Sequence, residues 1–112
     1  MKKSNIYQDL QYSDVKPMIS VLFETEFTKE IRIAMKEGSV MKEHKAPTPI
    51  VIEMVKGNID FGVNNEILHL AEGDLLTLDG HVPHDLKATK DSIVRLTLTK
   101  YDDSNRVKNV AK

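Results

Sequence analysis

Three histidines in this sequence have the chemistry to bind a metal ion or a polar ligand. His44 lies in the first half of the chain, and His81 and His84 lie three positions apart in the second half. Imidazole nitrogen is a suitable ligand for Zn, Cu, Fe and Ni. The fourth histidine, His69, stands between two leucines, so in a strand it faces away from them and we expect it on the surface. Binding of a metal or polar ligand therefore depends on whether His44, His81 and His84 lie close together in the folded chain.

Few other side chains are candidates for catalysis or metal binding. The chain has no cysteine, which excludes disulfides, thiolate catalysis and cysteine zinc sites. No Tyr, Glu or Lys stands out as a general base. Arg32 and Arg95 lie on predicted strands, where outward placement is the default for arginine.

Short apolar segments separated by turn residues dominate the sequence and must position these histidines. Gly57-Asn58 and Asn64-Asn65 are hairpin signals, because glycine and asparagine tolerate positive φ. Their even spacing is typical of a sandwich, barrel or jelly roll. The predicted strands cover residues 19–23, 31–35, 50–55, 59–63, 67–70, 75–78, 84–89 and 93–99.

The chain length predicts one domain over residues 1–112, with less regular ends. Residues 1 to about 15 form an N-terminal arm, in which Ser4 caps a helical turn or which pairs with an edge strand. Residues from about 101 to 112 are polar and predict a loose C-terminal tail.

Charge and hydropathy exclude two classes of partner. The formal net charge is -1 and the pI is about 6.4, whereas nucleic-acid binding needs a clustered excess of Lys and Arg. No apolar run is long enough to span a bilayer, and no signal peptide follows Met1. We expect a cytoplasmic protein that binds neither nucleic acid nor membrane.

Two segments of the chain resemble the two sequence motifs of the cupin family. The first family motif reads G-x5-H-x-H-x3,4-E-x6-G, and Gly38, His44 and Gly57 match it. The second reads G-x5-P-x-G-x2-H-x3-N, and Gly73 and His84 match it. The resemblance implies an all-β fold, the cupin-type double-stranded β-helix or jelly-roll barrel. It also implies homodimers and a divalent metal (Zn, Fe, Ni, Mn or Cu) held by three histidines and one glutamate.

The sequence departs from these motifs at several positions. Two of the four ligands that the resemblance implies remain, His44 and His84. His81 is either a substitute third ligand or a solvated loop residue. The departures are Ala46 for the second His, Ile50 for the Glu, Asp79 for the Pro, His81 for the Gly and Ala88 for the Asn.

Strand alternation then assigns faces around the site. If the family's Glu position points inward, Ile50 shares the inner face with Ile52 and Met54, and Glu53 faces solvent. The same alternation puts His84 and Leu86 on one face. The predicted ligand pocket is His44, Ile50, Ile52, Met54, His84 and Leu86, and the predicted metal ligands are His44, His84 and His81.

These residues leave two hypotheses of function open. In the first, a metal held by the histidines makes the protein a metal-assisted enzyme that acts on a small molecule. In the second, the apolar Ile50 at the Glu position indicates a metal-free module that binds or senses a small ligand. We expect a homodimer in either case, because open barrels leave strand edges that need covering.

Overall fold

The computed structural model describes residues 1–100 of the chain. Within these residues the chain forms nine strands and no helix, which confirms the predicted all-β class. The predicted tail, from about 101 to 112, lies outside the described residues. The strands are β1 (Met18–Glu24), β2 (Thr28–Met35), β3 (Val40–His44), β4 (Ile50–Lys56), β5 (Asn58–Val63), β6 (Glu66–Ala71), β7 (Leu75–Leu78), β8 (His84–Ala88) and β9 (Ser92–Thr99).

The strands form two antiparallel sheets. One sheet has five strands in the order β1-β2-β9-β4-β7, and the other has four in the order β3-β8-β5-β6. The links β2–β3, β4–β5, β6–β7 and β8–β9 cross from one sheet to the other at one end of the barrel, which we call the closed end. The links β3–β4 and β7–β8 cross at the opposite end, which we call the open end.

The core lies between the sheets and follows the alternation of the strands. On β4, Ile50, Ile52 and Met54 are 1–3% exposed, while Glu53 between them lies on the outer face and pairs with Arg95. The same alternation buries alternate residues of β5 and β8, including Phe61. A period of two along each strand therefore builds one continuous apolar layer.

Turn chemistry sets one hairpin and one of the crossings. Asn64 and Asn65 both adopt positive φ, 51° and 62°, as a two-residue hairpin requires. Gly57, with φ of 90°, joins β4 to β5, which lie in different sheets. The hairpin expected at Gly57-Asn58 is therefore wrong, because this turn carries the chain across the barrel and does not pair the two strands. An added Cβ there would lie 2.3 Å from the Oγ of Ser92, so this crossing needs glycine for space as well as for conformation.

The N-terminal segment differs from both sequence expectations. It forms neither a helix nor a strand, and its one turn, at residues 6–9, is capped by Asn5 rather than Ser4, since the Tyr7 N–H donates to Asn5 Oδ1 at 2.8 Å. The buried guanidinium of Arg32 donates to the carbonyls of Ile6 at 2.9 Å and Gln8 at 2.8 Å. Arg32 points outward from the barrel, as expected, and is buried because this segment lies over it. Tertiary hydrogen bonds to a cationic group, about 1.5–3 kcal/mol each, outweigh the weak local preference for a helix.

Candidate functional site

The structure brings His44 and His84 together. Their ring centroids lie 4.4 Å apart with an interplanar angle of 61°. The two residues are direct partners in the β3–β8 ladder, at the open end of the barrel. The two imidazoles thus form one polar feature, which we call the histidine pair.

A β-bulge on β3 produces this meeting. Met41 pairs with Leu86 and faces the core, so in a regular strand His44, three positions later, would face outward. The register shifts between Met41 and His44, and the extra residue turns His44 to the same side as His84. Bulges re-aim side chains in this way next to functional sites.

Hydrogen bonds fix both rings in the same tautomer. Nδ1 of His44 lies 2.8 Å from the carbonyl oxygen of Lys42, and Nδ1 of His84 lies 2.9 Å from that of Val82. A carbonyl oxygen only accepts, so each Nδ1 carries the proton and donates it. In the neutral rings the lone pair therefore sits on Nε2, and neither Nε2 is hydrogen bonded by the described residues.

The two rings differ in environment. His84 is 4% exposed and stacks on Phe61, with centroids 5.5 Å apart and planes 18° from parallel. Burial lowers the pKa of His84, and the neighbouring His44 lowers it further, although the hydrogen bond to the Val82 carbonyl opposes this. His44 is exposed. The pair therefore offers a neutral imidazole from inside the barrel and a second imidazole that solvent reaches.

The third predicted ligand, His81, does not join the histidine pair in a metal cluster. It is an exposed turn residue with φ of 67°, and its N–H donates to the carbonyl of Ala46 at 2.7 Å. Among residues 1–100, no group of three or more His, Cys, Asp or Glu side chains could hold a metal ion. Catalytic metals usually keep three protein ligands. The histidine pair supplies only two imidazoles, and the described residues do not fit the four-ligand set that the resemblance implies.

The remaining predicted pocket residues form packed core. Ile50, Ile52, Met54 and Leu86 face inward, but each is 3% exposed or less, so solvent reaches almost none of their surface.

The sequence reasoning missed a set of partly exposed apolar residues that border the core. These half-buried side chains pack on the core: Met41, Ala46, Val63, Leu76, Leu78, Leu96 and Leu98. Along β9 the inner face changes from Val94, fully buried, to the half-buried Leu96 and Leu98. A depression of about 350 Å³ at this end is bordered by Ala46, Thr48, Leu98 and Lys100, and neither histidine of the pair lines it. The alternation of β7 and β9 was visible in the sequence, but not which end of these strands would stay open.

His69 lies on the outer face, 79% exposed in its side chain, as the sequence predicts. Its Nδ1 lies 2.7 Å from a carboxylate oxygen of Asp60, its neighbour across the β5–β6 ladder. This contact is separate from the histidine pair, and His69 is therefore a useful control for experiments on the pair.

Comparison with solved structures identifies the fold. An RmlC-like cupin from Desulfovibrio desulfuricans matches with a TM-score of 0.80 at 20% identity, covering 88% of this chain and 96% of that one. KdgF from Halomonas sp. matches with a TM-score of 0.76 at 19% identity, covering 93% and 98%. An uncharacterized protein with a double-stranded β-helix domain from Klebsiella pneumoniae matches with a TM-score of 0.77 at 16% identity, covering 88% and 89%.

Two comparisons by sequence gave no match. No protein-family model matches the chain, and no curated protein matches it. The described residues contain no helix that is long and apolar enough to cross a membrane.

Proposed function

The chain has the cupin fold, a double-stranded β-helix, as the sequence resemblance predicts. From this premise we propose that the protein binds a small molecule at the open end of the barrel. The ligand's polar group meets the histidine pair, and its apolar part packs against the half-buried leucines of β7 and β9. An apolar concavity with a few convergent polar groups is the usual form of a small-molecule site.

One observation carries this proposal: both rings of the pair present an unengaged Nε2. Because each Nδ1 already donates to a backbone carbonyl, a ligand hydroxyl or carboxylic acid that donates to Nε2 completes the hydrogen bonding of the pair. The lowered pKa of His84 keeps that ring neutral and able to accept at neutral pH. The preferred ligand is therefore a small, partly apolar molecule with a hydrogen-bond donor.

The same observation favours a second candidate, a divalent transition metal held by Nε2 of His44 and Nε2 of His84. Metal-binding histidines characteristically donate their other ring N–H to a carbonyl or carboxylate, as both rings do here. Such a metal would act as a Lewis acid towards a bound molecule. With two protein ligands, it would depend on water or the small molecule for its remaining positions.

Thermal unfolding in the presence of candidate ligands tests both proposals, since binding to the folded state raises the melting temperature. The screen includes small organic acids and alcohols in EDTA, and separately Zn²⁺, Ni²⁺, Mn²⁺, Fe²⁺ and Cu²⁺ on protein without a His tag. A compound at about a hundred times its Kd stabilises by about 2.7 kcal/mol. We expect that His84→Ala removes the stabilisation and that His69→Ala keeps it.

The outcomes separate the two candidates. Stabilisation by an organic compound in EDTA, lost in His84→Ala and His44→Ala, supports direct binding by the histidine pair. Stabilisation that needs a metal and disappears in the same variants supports the metal. If no compound or metal gives a shift that depends on His84, both proposals are wrong.

A further inference from the structure

A lysine lies on the inner face of the larger sheet at the open end of the barrel. Lys29 pairs with Leu98 in the β2–β9 ladder, and two positions later Ile31 pairs with Leu96. Residues two apart on a strand share a face, and Ile31 belongs to the core. Lys29 is therefore a half-buried cation on the same face as the core residues, beside the apolar side chain of Leu98.

The charges around Lys29 do not balance. Glu24, its partner in the β1–β2 ladder, pairs instead with Lys100 at 2.6 Å. The hydrogen bond and the charge of Lys100 lower the pKa of Glu24 most, and the charges of Lys29 and Lys2 lower it less. Among residues 1–100, Lys29 itself forms no hydrogen bond or ion pair. Even with Glu26 of the β1–β2 turn, the three lysines outnumber the carboxylates here, so this side of the open end is positive.

The depression of about 350 Å³ at the open end places this charge beside apolar surface. Its volume is within the range of pockets that hold small organic molecules. A cation at the edge of an apolar floor is complementary to a small organic acid, which carries a carboxylate on a hydrocarbon body. The charged residues that line the depression are Glu24, Lys29 and Lys100, and the apolar ones are Ala46, Pro47 and Leu98.

Hydrogen bonds hold one wall of this depression in place. The β3–β4 link forms that wall, and Thr48 Oγ1 donates to the carbonyl of Thr99 at 2.5 Å. The N–H of Thr99 in turn donates to the carbonyl of Pro49 at 3.2 Å. The link is also held by the N–H of His81, which donates to the carbonyl of Ala46 at 2.7 Å. The depression is thus formed before any ligand arrives, and binding requires little ordering of the chain.

The histidine pair is a separate site with the opposite chemistry. Neither His44 nor His84 lines the depression. Each neutral ring offers only the acceptor Nε2, and a carboxylate has no proton to donate to it. The ammonium of Lys29, in contrast, has three donors and a positive charge. The histidine pair therefore suits a ligand group that donates, whereas Lys29 suits an anion.

We propose that the depression beside Lys29 binds a small organic acid. The carboxylate accepts hydrogen bonds from Nζ of Lys29, and the hydrocarbon body packs on Ala46, Pro47 and Leu98. Hydrogen bonds between charged groups are about twice as strong as neutral ones, so the charge of the ligand selects this site. Because Lys100 is engaged by Glu24, Lys29 is the residue that determines binding of the anion.

Titration of the protein with hexanoate tests the proposal, followed by calorimetry and by backbone amide NMR signals at low ionic strength. 1-Hexanol is the matched ligand, because it has the same hydrocarbon body without the charge. We expect hexanoate to bind about threefold or more tightly than 1-hexanol. Lys29→Gln should weaken hexanoate by about threefold to tenfold without weakening 1-hexanol, and Lys29→Arg should retain most of the affinity.

Two further variants serve as controls, with circular dichroism to verify that every variant folds. Lys56 is an exposed lysine at the closed end and has no ion pair among residues 1–100, so Lys56→Gln should keep the affinity for hexanoate. His84→Ala should also keep it, because the histidine pair does not line the depression.

Three results would overturn the proposal. They are the absence of hexanoate binding up to about 10 mM, equal affinity for hexanoate and 1-hexanol, and an affinity that Lys29→Gln leaves unchanged. Loss of hexanoate binding in His84→Ala but not in Lys29→Gln would assign the carboxylate to the histidine pair and would likewise contradict the proposal. Ligand binding at the histidine pair is judged by His84 alone, so either proposal can fail without the other.

Discussion

The two ends of the barrel are built from the same strands, but each holds a buried polar side chain whose hydrogen bonds are completed to a different extent. At the closed end, the fully buried Ser92 accepts from the Asn58 N–H at 3.0 Å and lies 2.7 Å from the Lys90 carbonyl. At the open end, the buried His84 satisfies one ring nitrogen through Val82, and its other ring nitrogen has no hydrogen-bond partner among residues 1–100.

We therefore expect substitutions at the closed end to change mainly the stability of the fold, and substitutions at the open end to change mainly ligand binding. At the closed end, Ser92 completes its hydrogen bonds within the chain, so changing it should lower the free energy of unfolding without altering the open end. Residues at the open end carry unused hydrogen-bonding capacity, so changing them should alter binding more than folding.

The largest expected effect is at the closed end. Gly57→Ala places a methyl group 2.3 Å from Ser92 Oγ and 2.5 Å from the Asp91 carbonyl oxygen, at a φ of 90°. We expect a loss of about 3–5 kcal/mol of unfolding free energy, from left-handed strain and overpacking together. Denaturant unfolding measures it.

Gly38→Ala is the matched control for this substitution. Gly38 has nearly the same φ, 88°, but an added Cβ there meets nothing within 4 Å. It should cost only the conformational strain, about 1–2 kcal/mol. Equal losses in the two variants would show that the close approach at Gly57 does not matter.

A smaller effect is expected from the hydroxyl of Ser92. Ser92→Ala removes the acceptor of the buried Asn58 N–H, which should cost about 1–3 kcal/mol. The Oγ of Ser39 is also buried but has no partner among the described residues. Ser39→Ala should therefore change the unfolding free energy by no more than about 0.5 kcal/mol, and may be compared in the same titration.

The smallest effect is a pH dependence at the open end. Because burial lowers the pKa of His84, the unfolded chain takes up a proton at a higher pH than the folded chain. Its contribution to stability is complete above the unfolded pKa, about 6.5, and is lost as the pH falls from there towards the folded pKa. This one group changes the free energy of unfolding by at most about 1.4 kcal/mol per pH unit.

Unfolding titrations between pH 7 and pH 5 measure this slope. His84→Gln should flatten the profile relative to the wild-type chain. A wild-type profile that stays level in this range would contradict the assigned burial of His84.

Several parts of this structure were predictable from the sequence because they depend on local rules. Alternation placed Ile50, Ile52 and Met54 inside and Glu53 outside, since successive side chains of a strand face opposite ways. Asn64-Asn65 predicted a tight hairpin because both residues adopt positive φ at low cost. Strand β3 was not predicted, because only Val40 and Met41 of its five residues are apolar.

The site depended on features that local rules do not contain. The alternation from Met41 turns His44 outward, and only the bulge in the β3–β8 ladder brings it to His84. Likewise, no local pattern shows that β1 lies at the edge of the larger sheet, or that Arg32 is buried by a distant segment.

The sequence by itself determined that the chain forms short alternating strands, where several of them turn, and which face of β4 and β8 is buried, because backbone sterics and a period of two act over a few residues. Only the tertiary structure decided that two distant imidazoles meet and which end of the barrel stays open. These features depend on how the strands pair and how the two sheets pack against each other, which is a property of the whole chain.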